Sequence, residues 1–136
     1  MPKMIFVNLP VKDIDVSIRF YEAIGCTKNE QFSDENAASM VWSDTIVFML
    51  LKHAYFSTFT TKQIADSHKT AEVLLALSCE SREEVDTLVQ AAGASGGTAD
   101  VREPQDLGFM YSRAFADPDG HIFEPAYMNM EEVPAE

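Results

Sequence analysis

The feature that most constrains this chain is that it repeats itself. Leu9 and Leu77, Asp13 and Ser81, Phe20 and Leu88, Tyr21 and Val89, and Gly25 and Gly93 are each 68 residues apart, half of the 136-residue length. Further along, Asp44 matches Asp119 and Met49 matches Glu124 at an offset of 75, so the second copy carries extra residues, placed around Val101–Leu107. A repeat of this period is one supersecondary unit used twice.

Hydrophobic periodicity gives each copy the order strand, helix, strand, strand, strand. In the first copy, apolar Met4–Leu9 reads as a strand. Asp13 is placed to cap a helix carrying Ile14, Ile18, Phe20, Tyr21 and Ile24, and Gly25 stops it. Strands are expected over Lys28–Ser33, Ala37–Ser43 and Thr45–Lys52, the last two joined by a tight Ser43-Asp44 turn. In the second copy, Glu72–Cys79 is a strand and Ser81-Arg82-Glu83-Glu84 a capping box. Val85, Leu88, Val89 and Ala92 line one helix face, and Gly93 stops that helix. Strands then fall near Thr98–Glu103, Phe109–Ala116 and His121–Met128, with Asp117-Pro118-Asp119-Gly120 as a turn before the last. The organisation is a single domain over 1–136: unit 1 over about 1–52, a connector over 53–70, unit 2 over about 71–128 and an acidic tail over 129–136 expected to fray. In the connector, Thr60 or Thr61 is expected to cap a short helix over Gln63–Ala65. The fold class is α+β.

Composition excludes several functions. Twenty-two acidic against ten basic residues give a net charge of -12, which leaves no basic surface for nucleic acid or an anionic membrane. The opening MPKMIFVNLP is too short for a secretory h-region, and no apolar run is long enough to span a membrane. Cys26 and Cys79 are too few for a disulfide scaffold, so reduced thiols in a cytoplasmic protein are expected. There is no nucleophile elbow, P-loop or dinucleotide-binding glycine pattern.

The stretch NLPVKDIDVSIRFYEAIG near the start and FADPDGHIFE near the end resemble the vicinal oxygen chelate superfamily of glyoxalase I, bleomycin-resistance proteins and extradiol dioxygenases. The resemblance spans about residues 4–128. More narrowly, the MxFVNLPVxD start and QDxGFMYxRxFxDPDGHxxE ending resemble the bacterial predicted lactoylglutathione lyase group. It implies two tandem βαβββ units forming a curved mixed sheet around a central cleft, often as a homodimer. In metal-dependent members, the first and last strand of each unit supply ligands to one divalent ion.

Carried over residue by residue, those ligand positions are Phe6, Met49, Leu74 and Glu124. Three of the four are apolar. Phe and Leu cannot bind a hard cation, and a Met thioether suits soft metals. The residues next to them in sequence supply no ligand either. The expectation is therefore a protein without the family metal, which binds a small organic molecule in an apolar cleft. Phe6, Met49 and Leu74 line that cleft or fill the core; Asn8 and Glu124 share their faces by strand alternation and offer polar anchors. A carboxylate at Glu124 in such surroundings needs a partner or has a raised pKa. Arg113 and Tyr111, on the preceding strand, are the candidates, as structural partners of Glu124 or as electrophilic groups beside a general base. The alternative is a lyase or dioxygenase of the glyoxalase type, dependent on one divalent metal or using Glu124 as catalytic base. His53 and His68 lie in the connector and His121 is out of phase with Glu124, so none is a favoured ligand. Tyr55, Phe56 and Phe59 either cover a cleft or pack on the sheet.

Overall fold

The computed structural model describes residues 2–132. The chain divides between Asp66 and Ser67 into two units. Unit 1 has the expected order, with a short extra helix after it; unit 2 keeps that order but adds a short strand over Gln105–Asp106, in the expected loop, and divides one expected strand in two; the α+β class holds for both.

In unit 1, β1 (Ile5–Val11) leads into α1 (Ile14–Ala23), followed by β2 (Thr27–Asn29), β3 (Ala37–Val41) and β4 (Ile46–Lys52). Asp13 caps α1 as expected, its carboxylate accepting from the N–H groups of Asp15 and Val16 at 3.1 and 3.2 Å. The helix ends where Gly25 takes φ +114°, and the N–H groups of Gly25 and Cys26 close back on the carbonyls of Glu22 and Tyr21. Its inner face buries Ile14, Ser17, Phe20 and Tyr21, with the Tyr21 ring 5.8 Å from that of Phe48 on β4. The sheet order is β1-β4-β3-β2, with β1 parallel to β4 and the other pairs antiparallel.

Three expectations for this unit shift. The strand over Lys28–Ser33 stops at Asn29, because the Asn29 side chain accepts from the Gln31 N–H and turns Glu30–Phe32 into a single 3-10 turn. The hairpin loop is Asp44-Thr45, one residue later, with Ser43 and Ile46 exchanging backbone bonds across it. No helix forms over Gln63–Ala65. Thr60 does accept from the Lys62 N–H, but only within a turn, while a short helix, α2 (His53–Phe56), follows β4 directly.

In unit 2, β5 (Leu75–Cys79) leads into α3 (Arg82–Ala94). Then come β6 (Thr98–Ala99), β7 (Gln105–Asp106), β8 (Met110–Ser112), β9 (Phe115–Ala116) and β10 (Ile122–Met128). Ser81 accepts from the Glu84 N–H, and the Glu84 carboxylate accepts in return from the N–H of Glu80. The expected first strand, Glu72–Cys79, begins only at Leu75, which leaves Leu74 just ahead of it. The expected strand over Thr98–Glu103 ends at Ala99, where Asp100 takes φ +52° and turns the chain. Gly93 is not the stop of α3. It lies inside the helix, where a Cβ would stand 3.2 Å from that of Ala99, and Gly96 at φ +98° follows the real end. Here glycine serves close packing of helix on strand.

The expected strand over Phe109–Ala116 is divided into β8 and β9 with one continuous register against β10. The gap lies opposite Glu124-Pro125. Arg113 donates its N–H to the Pro125 carbonyl at 3.3 Å, but proline has no N–H to return. One missing bond thus accounts for the break. With that allowance the layout repeats unit 1: β10 is central, β5 runs parallel on one side, and β8 with β9 runs antiparallel on the other, with β7 and β6 outside them. Asn8 opposite Met49 in unit 1 recurs as Ala76 opposite Glu124 in unit 2, the offsets of 68 and 75 read from the sequence. The core of unit 2 stacks Phe115 on Phe123 beneath Val85, Leu88, Val89 and Ala92 of α3. Met130–Glu132 form a 3-10 turn, and the rest of the tail lies outside the described residues.

The turn before β10 is held by the buried Asp117, whose carboxylate accepts from the N–H groups of Asp119 and His121. Gly120 in that turn has φ +92°, and a Cβ there would lie 2.7–2.8 Å from the backbone of Ser67 and His68. Gly108 has φ +83° with nothing within 4 Å. Both Gly→Ala changes therefore carry backbone strain, but only Gly120→Ala adds a clash with backbone. We expect Gly108→Ala to cost about 1 kcal/mol and Gly120→Ala at least about 3 kcal/mol in urea unfolding at pH 7.

Candidate functional site

In each unit the helix covers one face of the sheet, and strand alternation sends every second side chain to the other face. In unit 1 that other face carries Phe6, Asn8 and Pro10 of β1, Val47, Met49 and Leu51 of β4, and Ala37 and Ser39 of β3. The sequence-predicted Phe6, Asn8 and Met49 thus share it. Asn8 and Met49 are direct cross-strand neighbours and together form part of the wall of a cavity of about 350 Å³. The 3-10 turn brings Gln31, Phe32, Ser33 and Asp34 to this cavity, and Tyr55 and Phe59, in and just after α2, complete it. The Tyr55 and Phe59 rings meet edge to face at 5.1 Å. These rings are not packed away: Phe32 and Phe59 are 63% and 64% exposed. Phe6 does not fill the core either, being 57% exposed, and it lies outside the lining. Phe32 escapes sequence reasoning because it sits in the expected strand over Lys28–Ser33, on which it would simply alternate, and Asp34 because it falls just past that strand, between expected elements.

In unit 2, Glu124 is half-buried on the corresponding face of β10. Its partner is neither Arg113 nor Tyr111 but Arg102. The Arg102 guanidinium reaches one Glu124 carboxylate oxygen through both Nε and a terminal nitrogen, each at 3.1 Å. It also donates to the Ser112 hydroxyl and the Glu103 carbonyl, both at 3.0 Å. The reason is alternation. Ser112 shares the Glu124 face, whereas Tyr111 and Arg113 emerge on the α3 side. There Tyr111 donates to Asp86 at 2.6 Å, and Arg113 bridges Asp86 and Asp100 at 2.8 and 2.6 Å. The pull is mutual. The Tyr111 and Arg113 donors hold the Asp86 carboxyl below its ordinary range, and Arg113 does the same for Asp100. Leu74 is 55% exposed and precedes the strand. The clue to Arg102 was the longer offset in the second copy, since it sits in the inserted loop.

The four positions that the resemblance assigns to a divalent ion do not form a donor set for it. Phe6 and Leu74 have no donor atom, Met49 offers a thioether, and Glu124 already accepts from a guanidinium. Among the described residues, no three His, Cys, Asp or Glu side chains are grouped to hold a metal. The two cysteines are buried, and burial pushes both thiols up to about 12, so neither presents a thiolate at neutral pH. No helix among these residues is long and apolar enough to cross a membrane.

A family model described as the Glyoxalase/Bleomycin resistance protein/Dioxygenase superfamily matches residues 3–124. No curated protein sequence matches the chain significantly. Among solved structures, the chain is similar to a hypothetical protein from S. aureus at 27% identity and a TM-score of 0.77, over 93% of this chain and 94% of that one. A glyoxalase/bleomycin resistance protein/dioxygenase family enzyme from Burkholderia phytofirmans follows at 19% identity and a TM-score of 0.78, over 93% and 99%. The fosfomycin resistance protein FosX from Mesorhizobium loti is 16% identical at a TM-score of 0.69, over 97% of both chains. The last two are likenesses of fold.

Two predictions follow from the charges of unit 2. Arg102→Met removes the charge-assisted bonds to a half-buried carboxylate and is expected to cost about 1–2 kcal/mol in urea unfolding, Glu124→Gln less, because the amide oxygen still accepts from Nε. On the exposed side, Arg82 pairs with Asp106 at 2.9 Å and holds its carboxyl down to about 2. A lowered carboxyl favours the folded state above the ordinary carboxylate range, near 4, and that contribution fades as pH falls toward 2. Carbon-detected NMR titration should place the Asp106 midpoint near 2, and Arg82→Gln should return it most of the way to 3.8.

Proposed function

We propose that this chain, which belongs to the Glyoxalase/Bleomycin resistance protein/Dioxygenase superfamily, binds a small organic molecule in the unit 1 pocket between the Asn8–Met49 pair and the rings of Phe32, Tyr55 and Phe59. The observation that carries the reading is those exposed rings beside a cavity of about 350 Å³. Small-molecule sites span roughly 300–1,000 Å³ and are mostly apolar with a few polar anchors. Asn8, Gln31, Ser33 and Asp34 are the anchors here. Exposed apolar rings cost hydration free energy that a bound ligand recovers. That a protein of similar fold is named for fosfomycin resistance supports a small-molecule partner.

Binding proceeds without the family metal. The support is the chemistry of Phe6, Met49, Leu74 and Glu124, with Arg102 acting as the cation for Glu124. The competing enzymatic reading, a glyoxalase-type lyase or dioxygenase with Glu124 as general base, requires that carboxylate to give up its hydrogen bond and ion pair with Arg102. The proposed setting is the cytoplasm, supported by the two cysteines and the short apolar opening, and a homodimer, supported by the resemblance alone and readable by light scattering.

Nile red, a neutral apolar dye, serves as the first probe. Its fluorescence is expected to rise on binding the purified protein and to be unchanged by EDTA. Met49→Asp, which puts a charge in the wall, should weaken binding at least about tenfold. Stoichiometric divalent metal that leaves with Glu124→Ala, together with EDTA-sensitive binding or turnover, would overturn the reading.

A further inference from the structure

The unit 1 pocket has a chemical selectivity that its apolar character alone does not convey. Three aromatic side chains, Phe32, Tyr55 and Phe59, line it together with one charged residue, and that residue is an acid, Asp34. No Lys or Arg lines it. The ring faces of Phe and Tyr carry partial negative charge, so several rings around one cavity attract a cation that sheds water easily. Asp34 adds a full negative charge. One of its carboxylate oxygens accepts from the N–H groups of Asn36 and Ala37 at 2.8 and 3.0 Å, which fixes the group in place. Among the described residues, no Lys, Arg or His forms a salt bridge with it. Ring-lined cavities of this kind suit quaternary and other alkylated ammonium groups, which are too bulky and too weakly hydrated to favour a lone carboxylate in water.

Resting on the proposed binding function of this same pocket, we propose that its ligand is a small organic cation, with an alkylated ammonium group held by Phe32, Tyr55, Phe59 and Asp34. Asn8 and Gln31 are the hydrogen-bonding side chains left for an uncharged polar end.

Acetylcholine and its uncharged isostere 3,3-dimethylbutyl acetate, which differs by a carbon in place of nitrogen, separate charge from shape. In NMR titrations of the intact protein, acetylcholine is expected to shift the ring resonances of Phe32, Tyr55 and Phe59 and to bind at least about tenfold more tightly than the ester. Asp34→Asn keeps the oxygen that accepts from Asn36 and Ala37 and removes only the charge, so it should weaken acetylcholine several-fold and leave the ester unchanged. Tyr55→Leu should weaken acetylcholine and Tyr55→Phe should restore it. Equal or tighter binding of the neutral ester at these rings overturns the cation assignment and leaves the binding pocket standing. If neither compound shifts the rings, both the assignment and the pocket's proposed role fall.

Discussion

Everything in this molecule that bears on function follows from one constraint: a strand covered by a helix on one side sends alternate residues to opposite faces, and a parallel first–fourth strand pair fixes which residues those are. In unit 1 the constraint puts Leu9, Phe48 and Leu50 into the core and Asn8 and Met49 on the other side. In unit 2 it puts Phe123 under α3 and Glu124 on the other side. A slip of one residue in either pair would bury the polar set and expose the core. The register is therefore held by the whole apolar content of each unit rather than by any local contact.

The two copies use equivalent faces differently. Unit 1 leaves its face lined with exposed rings, a few uncharged polar groups and the single acid Asp34, an apolar surface whose hydration is unfavourable until something covers it. Unit 2 occupies its face from within, where a guanidinium on an inserted loop satisfies the carboxylate and a serine hydroxyl together. An insertion in one copy and not in the other is thus the structural origin of the chemical difference between them.

How much of this was legible in the sequence depended on whether the deciding physics was local. Asp13 and Ser81 were readable as caps because capping is settled within three or four residues. The equivalence of Met49 and Glu124 was readable because strand order preserves an offset. The pairing of Glu124 was not. It depends on which residues of the antiparallel neighbour share its face, and on Arg102, 22 residues away, reaching over from a loop. Tyr111 and Arg113 were near in sequence and on the wrong side of the sheet. Gly93 misled for a related reason: a glycine late in a helix reads as a terminator, whereas here a neighbouring strand at Ala99 requires the missing Cβ. Asn29 shows the opposite case, a short polar side chain converting an expected strand into the turn that delivers Phe32 and Asp34 to the pocket.

The Arg102–Glu124 pair has one more implication. A positive charge taken from solution is held only as long as its concentration exceeds its dissociation constant, and it is open to competition from every other chelator. Arg102 is joined to Glu124 through the peptide chain itself, so its local supply never falls. Dilution, starvation for trace elements and chelating molecules leave it in place. The Glu124 carboxylate at this strand therefore keeps its counter-charge whatever the inorganic state of its surroundings.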